Sequence, residues 1–422
     1  MRFSITISLV GVLFFASMAS AAPAWNLNDV AYLFPLPEKN ETASSLLSPT
    51  DQDLLPKSLY LKFPLLADTA LPVKETKEEF YGELRVVAVR IDPCAPLTLD
   101  SYDCDHQVRM VFQAVKTDDS GKNYTTADAG IHVFYRLTQI QMNLLLKQLW
   151  DLKLLGLKQN PKVDTTLVPL GVHPAFSNST YRDQFSNQLK SILLRYCSPE
   201  NIVQITMARL MAASMDWWGF NGLKKVNDRW VDIKIPRLKN ATSEEFFNTS
   251  SSVDAIMGFP NQVLGSSIKA TNAKHTDLKL KDDFFSRDNP NSKNKAKNLS
   301  DVLSDNAGNE TARIKQFQDG LTLIHQIENP NLNNPLTMDC VHCHIAEATR
   351  YFMTSTEPGL NLNDATDRFK NPNPSLYNLS NHTVVTESTK ALRAFGYWRN
   401  FPAVSRRVIN DAAETAEFLN KR

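Results

Sequence analysis

The chain has 422 residues, 42% of them hydrophobic and 22% charged, which is enough for two or three domains with their own cores. That balance excludes a disordered chain and a bundle of membrane spans. Net charge is +1; outside residues 1–21, where Arg2 is the one charge, 45 basic residues face 45 acidic ones, so no broad footprint for nucleic acid remains.

Residues 1–21 predict a signal peptide. Arg2 supplies the positive start, "ITISLVGVLFFASM" the apolar run, and Ala19-Ser20-Ala21 the small-residue cleavage site. The alternative is an uncleaved anchor. No later segment is apolar enough to span a bilayer. The expectation is an exported protein without a transmembrane segment.

Residues 22–79 carry no long periodic run and read as an extended N-terminal segment with a few short elements. From Phe80 the pattern changes. Leu84–Asp92, His106–Val115 and Gly130–Leu137 are rich in β-branched and aromatic residues and are bounded by turn formers, so each predicts a strand. Cys94 and Cys104 lie between the first two strands and predict a disulfide, two buried thiols being the alternative.

Helical spacing follows. Ile140, Leu144, Leu145, Leu149 and Leu152 predict a helix packed on the sheet and ended by Gly156. Tyr181–Tyr196 and Pro199–Ser214 predict two more helices. Cys197 reads as a small core residue, and Met207, Met211 and Met215 as core packing at i+4. "DWWGFNG" and "DRWVDIKIP" predict a hairpin, with Trp217 and Trp218 in the core. Strands followed by helices give an α+β domain over 80–237, with an antiparallel sheet plus helices.

Residues 238–312 are polar and read as a linker. The remaining unit, 313–422, is predicted to be mostly α-helical. Ile314, Phe317, Leu321, Ile324 and His325 share one helical face. Val404, Val408, Ala412, Ala416 and Leu419 share another, with Pro402 in that helix's first turn. Between them, "LRAFGYWRNFP" gathers Phe395, Tyr397, Trp398 and Phe401 with Arg393 and Arg399.

The chemistry concentrates in Cys340-Val341-His342-Cys343-His344. Cys-x-x-Cys-His is the attachment signature of a c-type haem. Two thiols one helical turn apart can each add to a vinyl group, and the following histidine then offers a nitrogen to the iron. "IAEATRYF" after it is made of good helix formers. Two other chemistries fit the same letters. Cys-Val-His-Cys is similar to the centre of exported thiol–disulfide oxidoreductases, although a Pro/Asn loop precedes it rather than a strand. A zinc knuckle would need a second ligand pair that does not follow. A plain local disulfide is the bland reading.

On the motif, residues 331–422 resemble the c-type cytochromes. The resemblance implies one covalent haem c, electron transfer to a redox partner protein, thioethers at Cys340 and Cys343, and His344 as proximal iron ligand. It implies a cytochrome c-like fold for 313–422 and, with the export signal, the bacterial periplasm. The aromatic cluster would then wall the haem and an arginine would pair with a propionate; ordinary core is the other reading. A small cytochrome of this kind uses a downstream Met as sixth ligand, and this chain has none after Met353. Met353 and Met338 lie too close to the motif, so His382 is the candidate distal ligand, with His325 in reserve and a solvent-exposed loop as the alternative for His382. A haem enzyme, such as a peroxidase or dehydrogenase subunit with a substrate pocket in the N-terminal domain, is the competing function.

Overall fold

The computed structural model describes residues 23–232, apart from 40, 63–76, 96–103, 119, 122, 128 and 213–215, together with 308–332, 344, 346, 350, 357, 359–361, 367–376 and 394–422. The N-terminal region is α+β, built on an antiparallel sheet.

In chain order the elements begin with α1 (Leu27–Val30), β1 (Ala31–Leu33), α2 (Lys57–Tyr60), α3 (Lys77–Glu83) and β2 (Leu84–Ala95). The strands β3 (Asp105–Thr117), β4 (Tyr124–Thr126) and β5 (Ala129–Leu137) follow, and then the helices α4 (Gln139–Gln159) and α5 (Arg182–Tyr196). The chain returns to the sheet with β6 (Ile202–Ala212), β7 (Asp216–Val226) and β8 (Arg229–Asp232). C-terminal to these lie α6 (Glu310–Glu328), β9 (Phe395–Trp398), β10 (Phe401–Val404) and α7 (Arg406–Asn420). The sheet runs β1-β2-β3-β5-β6-β7-β8, with β4 paired to β3.

The three strands expected between 84 and 137 are β2, β3 and β5, each slightly longer than the sequence pattern indicates. The β7–β8 hairpin is also where expected. Its turn, Asn227-Asp228, holds both residues at positive φ, as a two-residue hairpin loop that follows the strand twist requires. Cys94 and Cys104 are bridged, with Cα atoms 5.0 Å apart.

One expectation is overturned. Where a helix is expected over 199–214, Pro199–Asn201 form a 3-10 turn and Ile202–Ala212 a strand; 213 and 214 lie outside the described residues. Ile202, Val203, Ile205 and Thr206 are β-branched, and β5 and β7 offer ladders on both sides. Met207 is buried on β6, so its core reading holds on a strand rather than on a helix face. Three details of the helices also differ. On α4 the buried positions are Met142, Leu145, Leu146, Leu149 and Leu152, whereas Ile140 and Leu144 face solvent. Gly156 lies inside α4, where an added Cβ would meet Tyr181 and Val163 at 3.1 Å. Pro402 sits in β10; α7 starts at its cap Ser405, whose hydroxyl accepts from the Val408 N–H.

Strand alternation gives the sheet two unlike faces. One carries Val89, Ile91, Met110, Phe112, Ile131, Val133, Tyr135, Ile205 and Met207, all almost fully buried. α4 packs on β3 and β5, and α5 packs on α4. Tyr181 of the connecting loop donates to the Leu152 carbonyl, and Tyr135 donates to Leu54 of the N-terminal segment at 2.5 Å. The other face is more polar. It carries Arg90, Asp92, Arg109, Gln113, His132 and Phe134, and C-terminal elements cover it.

Gln113 holds the β9–β10 hairpin there. Its Nε2 donates to the carbonyls of Tyr397 and Ala129, and its Oε1 accepts from the Tyr397 N–H at 2.7 Å. Tyr397 in turn donates to the Phe34 carbonyl, and Thr126 donates to the carbonyl of Arg399. The side-chain amide can reach the backbone because residue 396 is glycine, with φ of 147°. A Cβ there would stand 2.4 Å from Gln113 Oε1. Gly396→Ala should therefore cost roughly 2 to 4 kcal/mol, combining backbone strain with a lost buried hydrogen bond. Gly121, also at positive φ, has open space around it, so Gly121→Ala should cost only about 1 kcal/mol. Urea unfolding of the two variants checks both values.

Candidate functional site

The site is assembled from the polar face of the sheet and the residues that follow the cysteine pair. Cys340, His342 and Cys343 lie outside the described residues, as do Met338, Met353, His382 and Arg393. His344 is described. Its backbone is helical, as are those of Ala346 and Arg350, in agreement with the helix expected after the motif.

His344 is half-buried and packs against the imidazole of His132, with ring centroids 5.6 Å apart and planes tilted by 43°. His132 comes from the middle of β5, where it pairs with Val111 of β3 and Thr206 of β6. Its side chain is 8% exposed. Burial pushes the His132 ring well below its usual protonation range, and His344, Arg109 and Arg90 push it further. In the sequence His132 stands inside an apolar strand, at even spacing from Phe134 on one face, which is the only local signal that marks it.

A chain of buried charges fixes the elements around this pair. Arg90 lies in ion-pair contact with Asp92 at 2.8 Å and donates to Asp411 of α7 at 2.5 Å. Asp411 also accepts from Arg407 at 3.0 Å. Burial alone would raise the Asp411 carboxyl; Arg407 and Arg90 more than reverse that and leave it below its ordinary value. Arg407 then donates to the Ile327 carbonyl and Asn410 to that of Glu328, which ties α7 to the end of α6. The Glu328 carboxylate reaches the other way, to Arg350. The path runs from the sheet through α7 and α6 to a residue six positions beyond His344.

His325, the reserve distal ligand, is buried on α6 with its ring 3.7 Å from Glu328. Burial and the nearby Arg350, Arg368 and Arg406 push its protonation down to about 3. The imidazole against His344 is that of His132. Phe395 and Tyr397 are core, Phe401 is exposed, and Arg399 stacks over Trp398 at 5.1 Å. Cys197 is a buried free thiol whose pKa burial raises, as its core reading expects.

The chain matches no family model, no curated protein and no solved structure.

Asp411 is the joint between sheet and C-terminal helices. Asp411→Ala should cost about 3 kcal/mol, because it strips a carboxylate from two buried guanidinium groups. Hydrogen exchange should rise along α6 and α7 while β3 and β5 stay protected. Unchanged exchange in α7 would remove Asp411 from this role.

Proposed function

We propose that this chain is an exported monohaem c-type cytochrome, with residues 313–422 as its mostly helical, cytochrome c-like part. The observation that carries the reading is the complete Cys340-x-x-Cys343-His344 run. The signal-like segment 1–21 supports export, the bacterial periplasm being the compartment that fits both. No helix among the described residues is long and apolar enough to cross a membrane.

The residues suit the group. His344 stands on helical backbone, half-buried, beside the His132 imidazole, and Glu328 pairs with Arg350 six residues further on. Cys340 and Cys343 would form the thioethers and His344 would give its nitrogen to iron. When bound, the haem supplies reversible one-electron exchange. The protein's own contribution is to hold His344 in one orientation and to cover its inner side with the sheet. A redox partner protein would take or deliver the electron at the exposed edge.

Purified from a host with haem-maturation machinery, the full chain should be red, with colour that survives denaturation and acid–acetone extraction. Cys340→Ala with Cys343→Ala should abolish the covalent haem. Haem that extracts freely, or colourless protein with a reactive dithiol at Cys340 and Cys343, would replace this reading with the thiol–disulfide oxidoreductase one.

A further inference from the structure

We propose that His132 is the second axial ligand of the haem iron, so that the central sheet and the Cys340–His344 motif hold one macrocycle between them. The inference rests on the haem reading above and assigns to it a residue from the far N-terminal half of the chain.

Three observations carry it. The first is distance. Metal–imidazole nitrogen bonds run about 2 Å, so two imidazoles sharing one iron keep their ring centroids about 6 Å apart. The His132 and His344 centroids are 5.6 Å apart, short of that by a fraction of an ångström. The second is burial. His132 is more than nine-tenths buried on the polar face of the sheet, with its ring against that of His344. The third is rigidity. β5 is laddered on both sides, to β3 and β6, and a ligand on a central strand holds its geometry better than one on a loop.

The assignment explains why the chain can lack a methionine beyond Met353. It also gives the sheet a purpose, since half of the haem site would be built on it. Iron with two imidazoles is low-spin, is closed to small exogenous ligands and has a lower potential than with a Met ligand. That favours electron transfer over peroxidase chemistry.

The test uses the full chain carrying its haem, as wild type, His132→Gly, His132→Met and His382→Ala, with covalent haem measured first on denatured protein. Wild-type ferric protein should be low-spin without a Met–iron charge-transfer band. His132→Gly should lose the low-spin spectrum, bind carbon monoxide when reduced, and regain low-spin iron on addition of imidazole, which a merely structural histidine would not show. His132→Met should gain the charge-transfer band and a higher reduction potential, and His382→Ala should match wild type. A low-spin spectrum retained in His132→Gly, or lost in His382→Ala, overturns the assignment. High-spin wild-type iron, or a Met band in wild type, overturns it even where a variant fails to accumulate. Absence of covalent haem from wild type fails at the earlier step, so the two readings fall separately.

Discussion

Arg90 has almost no route to water. Its guanidinium is held between Asp92 on its own strand and Asp411 on the terminal helix. A buried charge of this kind costs several kcal/mol unless carboxylates and hydrogen bonds surround it. The cheapest way to satisfy Arg90 is to bring α7 onto the sheet, and the rest follows from that. Once α7 is placed, Arg407 and Asn410 position the end of α6, and Glu328 at that end positions Arg350. Hydrophobic burial of Val408, Ile409, Ala412 and Ala416 supplies most of the driving force for docking α7. The ion chain sets where along the sheet it docks.

The consequence is a sheet with two different tasks. Its apolar face makes the core with α4 and α5. Its polar face is an assembly surface where Gln113 clamps the β9–β10 hairpin, Arg90 clamps α7, and His132 meets His344. These three residues lie on adjacent strands and on one side, so their spacing is set by ladder geometry rather than by flexible loops. A histidine brought to His344 from this surface is therefore pre-positioned by the strands on either side of it.

Much of this was legible in the sequence, for identifiable reasons. β2, β3 and β5 are dense in β-branched and aromatic residues, and α5, α6 and α7 carry clear 3.6-residue periodicity. β6 is a strand where a helix is expected from Pro199 onward, because the two neighbouring strands that decide the matter are tertiary facts. Pro402 was placed in a helix because proline suits a first turn; the hairpin that claims it depends on Gly396 and Gln113, far apart in sequence. Of the candidate site, Cys340, Cys343 and His344 could be named from local spacing alone. His132 could not, since its significance comes only from the residue that folding sets against it.

The central claim is that one iron joins the sheet to the motif through two imidazoles. Electron–nuclear double resonance on the ferric protein, grown with nitrogen-15 histidine, counts those imidazoles directly. The account predicts strong coupling to two labelled histidine nitrogens beside the unlabelled nitrogens of the macrocycle. Coupling to a single labelled nitrogen, or to none, would contradict it.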